Sequence, residues 1–169
     1  MSQQPLPVPA TLDIEASGFG ARSYPIEIGY VDEQGSTYCS LIRPADGWIH
    51  WDASAAAMHG ISRETLMRHG REPVQIAREL NERLAGKVLY SDAWANDLSW
   101  LHRLFDEADL VPRFRLESLR ALLNEDQAAR WHEAKSAAAR ELDAGRHRAS
   151  SDAQVLQRAL ISVRRAPVR

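Results

Sequence analysis

The chain has 169 residues, 44% hydrophobic and 26% charged, with a formal net charge of -2 and a pI ≈ 6.3. That length suits one domain with one sizeable core, and the composition is that of an ordinary globular protein. A purely electrostatic binder of nucleic acid would be basic, so that class loses ground. The charge is uneven: residues 1–100 carry 8 Lys/Arg against 13 Asp/Glu, and residues 101–169 carry 13 against 10. An acidic first part suits carboxylates gathered for a cation, and a basic second part suits phosphates. Cys39 is the single cysteine. No intrachain disulfide can form, a cysteine-based zinc site is not expected, and a cytoplasmic location is expected. The opening MSQQPLPVPA lacks the basic flank and apolar core of a signal peptide. No apolar run reaches the ~20 residues of a membrane helix, so no membrane partner is expected.

Three strands are expected first. PATLDIEA (9–16) is one, and YPIEIGYVDE (24–33) is the next, with Ile26, Ile28 and Tyr30 alternating against Glu27 and Gly29. After the turn EQGS comes STYCSLIRP (36–44), ended by Pro44. Short turns between such strands imply an antiparallel meander. Helices follow: DASAAAMHG with Asp52 as N-cap and Gly60 as stop, then SRETLMRHG starting at Ser62 and ending at Gly70. EPVQIARELNERLAG places Pro73 at a helix start, Val74, Ala77, Leu80 and Leu84 on one face, and Gly86 at the end. KVLYS (87–91) reads as a short buried strand. NDLSWLHRLFDEADL is a helix with Leu98, Leu101, Leu104 and Phe105 facing inward. RLESLRALL (115–123) and the polar segment 124–145 are both expected to be helical. SSDAQVLQRALISVRR closes the chain as an amphipathic helix, and the basic tail RRAPVR is expected to fray. Strands first, then helices alternating with at least one more strand, make an α/β domain with a mixed sheet.

Four places can carry chemistry. Asp13 and Glu15 stand at i and i+2 on a strand, so both carboxylates project from one face. Like charges so placed repel unless a cation lies between them, and hard oxygen donors suit Mg²⁺ or Mn²⁺; two solvated surface acids are the plainer reading. Asp97 sits where a strand hands over to a helix, with Asp92 a nearby competitor; an acid there also compensates a helix dipole. His147 and Asp152 form H-x4-D, with Ser150 or Ser151 as N-cap between them, placing the histidine in a loop and the acid in a first helical turn. His59, in MHGIS, marks a helix end.

Taken in order, these pieces resemble the DEDDh family of 3′–5′ exonucleases, which includes the proofreading subunit of the bacterial replicative polymerase, oligoribonuclease and ribonuclease T. DIEASG resembles D-x-E-T-[ST]-G, EIGYV resembles E-I-G-x-V, and MHGIS resembles V-H-G-I-T. RLESLRALL resembles D-T-L-x-L-A, and HRASSDA resembles H-x-A-x-x-D-A. The set keeps the family's order and spacing over about residues 9 to 162. The resemblance implies an RNase H-like α/β fold, a mixed five-stranded sheet flanked by helices, in one exonuclease domain over 1–169. It implies that Asp13, Glu15, Asp97 and Asp152 hold two divalent cations, with His147 as general base. It places Ala16, Ser17, Gly18, Phe19 and His59 against the terminal nucleotide. Phe19 would wedge against bases, core packing being its other reading. The implied substrate is the 3′ end of single-stranded DNA or RNA, and the product a nucleoside 5′-monophosphate.

The chain departs from the family in places. Relatives reading H-N-x-x-F-D before the third acid have Asp92, Ala93 and Asn96 here in place of His, Asn and Phe. Ala16 stands where Thr or Met is common, and Glu117 where Asp is usual. No expected metal ligand is lost, but the nucleotide pocket is altered. A catalytically weak or inactive nucleic-acid-binding module on the same fold is the alternative. A plain interaction protein would show no response to divalent ions. Some relatives dimerise, so a homodimer stays open, although no long exposed apolar helix face demands one.

Overall fold

Alternating apolar residues between positions 10 and 41 build the first half of the sheet. A computed structural model describes residues 7–145 and 147–165. In it β1 (Ala10–Ala16) pairs antiparallel with β2 (Pro25–Val31), and β2 pairs antiparallel with β3 (Thr37–Leu41). The expected meander is therefore present. β4 (Val88–Ser91) runs parallel to β1, and β5 (Arg115–Ser118) parallel to β4. The order is β3-β2-β1-β4-β5, a mixed five-stranded sheet.

Six α-helices among the described residues flank it: α1 (Ala53–His59), α2 (Arg63–His69), α3 (Pro73–Leu84), α4 (Trp94–Glu107), α5 (Glu125–Glu141) and α6 (Ala149–Arg165). The expected caps form. Asp52 accepts the Ser54 N–H at 2.8 Å, Gly60 ends α1 at φ 67°, and Ser62 accepts the Thr65 N–H at 3.0 Å. None of the described helices is long and apolar enough to cross a membrane.

Two expectations need correction. RLESLRALL is not a helix: Arg115–Ser118 is the edge strand β5, and only Leu119–Leu122 turns, as one 3-10 turn. Four residues are too few to display a period, and pairing with β4 decides their conformation. Neither Ser150 nor Ser151 caps the last helix, because α6 already begins at Ala149. The closing helix ends at Arg165 as expected, and the rest of the tail expected to fray lies outside the described residues.

The two faces of the sheet do different work. Leu12 and Ile14 of β1 join Ile26 and Ile28 of β2, Ile76 and Leu80 of α3, and Leu101, Leu104 and Phe105 of α4 in one buried cluster. Each such side chain stabilises the fold by about 1.5–3 kcal/mol when fully buried. On the other face Thr11 donates to the Ala153 carbonyl of α6 at 2.7 Å. By the two-residue alternation of a strand, Asp13 and Glu15 share that face with Thr11. The acids therefore look toward α6 and away from the apolar core.

Candidate active site

β1 supplies Asp13 and Glu15, the start of α4 supplies Asp97, and the loop and first turn of α6 supply His147 and Asp152. All five line one cleft of about 220 Å³. Ala16, Gly18, Phe19 and His59 line it too, as do Asp92, Asn96, Trp100 and Lys135. Ser17 is the exception among the expected residues. It is buried in the loop, its Oγ accepting the Tyr24 N–H at 3.1 Å and lying 3.1 Å from His50 Nδ1.

The approach of α6 to β1 depends on two β2 residues that looked like the polar side of a strand. Asp13 pairs with Gly29 and Glu15 with Glu27 in the sheet register. A Cβ on Gly29 would lie 2.3 Å from the Ser150 nitrogen and 2.5 Å from the Ala149 carbonyl carbon. Only a bare backbone admits the start of α6 there. Glu27 is fully buried, and its carboxylate accepts from Arg148 Nε at 3.0 Å, from Arg148 Nη2 at 2.5 Å and from the Ala149 N–H at 2.9 Å. An acid from the sheet thus occupies the position at the α6 N-terminus expected for a serine. Sequence reading missed this role, because the partners lie 121 residues apart. Arg148 is half exposed, so its charge is not stranded when Glu27 is lost, and the cost is that of charge-assisted hydrogen bonds, about 1.5–3 kcal/mol. Glu27→Gln is expected to lower the melting temperature by roughly 3–10 °C, read by thermal denaturation. A change below about 2 °C would show that the clasp adds little.

The four acids repel one another. Asp13 is half-buried, but its Oδ2 is sealed from solvent without a hydrogen-bond partner. Burial, then the charges of Asp97, Glu15, Asp152 and Asp92, hold its pKa well above the usual carboxylate range. Burial and Asp152 push Glu15 up to about 8. Burial raises Asp97 to about 7, against the opposing hydrogen bond donated by the Ser91 hydroxyl. Burial also raises Asp152, with His147 opposing it. Glu15, His147 and Asp152 each offer a ligand atom within 4.8 Å of the others. Hard oxygens, an orphaned buried carboxylate oxygen and mutual repulsion together fit divalent cations. Asp92 differs from Asp97. It is ion-paired with Lys135 Nζ at 2.5 Å, whereas Asp97 is 1% exposed and bonded to a neutral hydroxyl.

These elevated pKa values make a stability prediction. All four lie above their unfolded values, so without cations the folded protein binds more protons than the unfolded chain between about pH 4 and 8. Stability is then present at the acid end of that window and lost as pH rises through it. The melting temperature in chelator is expected to fall by roughly 5–10 °C from pH 5 to pH 8, and millimolar Mn²⁺ to restore it at pH 8. A pH-independent melt in chelator, unmoved by Mn²⁺, would refute the clustering.

The residues expected to face a nucleotide have definite settings. Gly18 (φ 151°) lets the chain pass residues 50–52, where a Cβ would lie 2.7 Å from that of Asp52. Phe19 is 67% exposed at the cleft, its ring 6.1 Å from that of Trp100, so its setting is not core packing. His59 is buried, and burial lowers its pKa. Its Nδ1 accepts the Ile61 N–H at 3.0 Å, which leaves the proton of the neutral ring on Nε2, an atom buried without a partner. Among the positions that depart from the family pattern, Asp92, Ala93 and Asn96 all line the cleft.

No family model and no curated protein matches the chain. Solved structures do. Exonuclease I of E. coli in complex with a dA16 oligonucleotide superposes with a TM-score of 0.68 at 13% identity, covering 92% of this chain and 41% of that one. A moderately thermophilic Exonuclease I from Methylocaldum szegediense gives 0.65 at 14%, covering 92% and 40%. The zinc-bound form of the E. coli ExoI–ssDNA complex gives 0.62 at 14%, covering 90% and 38%. The chain spans about two fifths of these proteins. At such identities the likeness is one of fold, and the fold is RNase H-like, as the motif order implied.

Proposed function

We propose that the protein is a 3′–5′ exonuclease that hydrolyses single-stranded nucleic acid to nucleoside 5′-monophosphates. The observation that carries this reading is the convergence of Asp13, Glu15, Asp97 and Asp152 on one cleft with His147 beside them. Complexes of the structural neighbours with DNA oligonucleotides support a single-stranded DNA substrate. Two cations, Mg²⁺ or Mn²⁺, held by those four carboxylates would supply the positive charge needed to activate water and stabilise the departing 3′ oxygen. Asp97 rather than Asp92 is the fourth ligand, because Asp92 would have to give up Lys135.

The chain's own groups do the rest. Asp152 Oδ2 lies 3.1 Å from His147 Nδ1. Facing an ionised carboxylate, Nδ1 carries the proton and donates it, which leaves the lone pair on Nε2. That nitrogen takes the proton of the attacking water, and its half-exposed loop setting passes the proton on to solvent. His59 forms part of the wall against which the terminal nucleotide lies. Phe19 packs on a base, a contact indifferent to sequence. Ala16 and Gly18 bring backbone close to the sugar. The test is incubation of 5′-labelled DNA and RNA oligonucleotides with Mn²⁺. A ladder that shortens from the 3′ end is expected, stronger with DNA. No product from folded protein that melts higher with Mn²⁺ would leave a binding module.

A further inference from the structure

Beside the cleft, two guanidinium groups close a four-membered stack. Tyr24 and Trp48 stack at 5.2 Å between ring centroids. Arg63 of α2 lies over the Tyr24 ring at 5.8 Å, and Arg103 of α4 over the Trp48 ring at 5.6 Å. Arg63 also donates to the Tyr24 hydroxyl, and Arg103 to the Ala21 carbonyl at 3.0 Å. The loop 17–24 that carries Phe19 is therefore held by α4. Trp100, one turn before Arg103, donates to Ser23 Oγ at 2.8 Å, and Ser23 Oγ donates to the Gly20 carbonyl at 2.6 Å. Arg22, in the same loop, is exposed.

Among the described residues, none of these three arginines has a carboxylate oxygen within 4.0 Å. Other arginines near helices of the second half are tied to acids. Arg130 pairs with Asp126, Arg148 with Glu27 and Arg158 with Glu141. Arg22 belongs to the loop that carries Phe19, Arg103 donates to that loop at Ala21, and Arg63 meets its end at Tyr24. A guanidinium stacked on an aromatic face keeps its edge N–H groups for an acceptor, and it is held without losing further side-chain freedom.

We propose that Arg22, Arg63 and Arg103 form a phosphate track on which a single strand lies as it leaves the cleft 5′ of the terminal nucleotide. The track rests on the exonuclease reading above and adds the direction of the strand. Phe19 marks the step from the base-contacting cleft to the backbone-contacting surface. Spaced cations beside an aromatic residue suit a flexible strand of any sequence. An acidic peptide would need only the charges and would not need the cleft.

The test uses Arg22→Gln, Arg22→Gln/Arg103→Gln and Arg103→Lys in the full chain. Binding of a 5′-labelled thymidylate oligomer of roughly twelve nucleotides is followed by anisotropy, with Ca²⁺ in place of Mn²⁺, over a range of salt concentrations. The double variant is expected to bind roughly tenfold more weakly at low salt. Its plot of log K against log salt should be shallower by about 0.7 for each phosphate that is no longer neutralised. With Mn²⁺, kcat/KM should fall several-fold more on the oligomer than on a dinucleotide. Arg103→Lys should recover part of the loss. If Arg103→Gln does not fold, Arg22→Gln carries the test, since Arg22 is exposed. An unchanged salt slope in a folded variant overturns the track, and so do equal losses on both substrates. Weakened binding of a polyglutamate peptide with oligomer binding intact marks an acidic protein partner and overturns it too. A wild-type protein that shortens no oligomer overturns the exonuclease reading itself, whereas wild-type shortening with an unaltered variant slope overturns the track alone.

Discussion

Asp13→Asn is expected to abolish hydrolysis from the 3′ end, by about 10³-fold or more, while making the metal-free protein more stable at pH 8. The two effects have one cause. Asp13 stands among four other acids, with one oxygen sealed from solvent and unpartnered. Charge in that position is useful only when a cation answers it. Losing a ligand that positions a cation removes several kcal/mol of transition-state stabilisation, and each 1.4 kcal/mol is tenfold in rate. Without cations the same substitution removes repulsion, and a neutral amide can donate to a neighbouring carboxylate. The measurements are single-turnover cleavage of a 5′-labelled oligonucleotide with Mn²⁺, and thermal melts in chelator at pH 8. A variant that still cuts at wild-type rate would sink the metal-site reading. A variant that melts lower in chelator would show that the Asp13 charge is compensated by something other than a cation.

His147→Ala is expected to lower turnover about 10²–10⁴-fold at neutral pH, the range of a lost general base. The deficit should narrow as pH rises, because hydroxide takes over the role of the base. Binding of Mn²⁺ should persist, since the four carboxylates remain. The geometry makes this second readout decisive. A ring nitrogen of His147 lies within 4.8 Å of ligand atoms of both Glu15 and Asp152, close enough to be a ligand itself. Turnover lost with the Mn²⁺ melting shift retained assigns His147 to proton transfer. Turnover and shift lost together make it a ligand. Full activity would remove it from the mechanism.

Much of this site could be read in the order of the residues. A strand alternates with a period of two, so Asp13 and Glu15 had to share a face. A helix start places Asp152 near whatever precedes it, and five residues of chain keep His147 within reach. The meander, the caps at Asp52 and Ser62, and the inward faces of α3 and α4 came from local patterns of the same kind. β5 did not, because a four-residue edge strand followed by a turn has no period of its own.

Distance along the chain explains what else stayed hidden. Residue type and backbone periodicity were enough to show which carboxylates the chain offers, their hard-oxygen character and the face on which Asp13 and Glu15 stand. Tertiary structure alone decided how tightly the acids meet. Gly29 and Glu27 of β2 admit and clasp the start of α6, a contact between segments more than a hundred residues apart. It also separated Asp97 from Asp92, two acids alike in sequence, by burying one against Ser91 and pairing the other with Lys135. The same holds for Arg22, Arg63 and Arg103 around the loop 17–24, which meet no carboxylate among the described residues. A residue's type shows its charge, but only the folded chain shows which charges have found a partner.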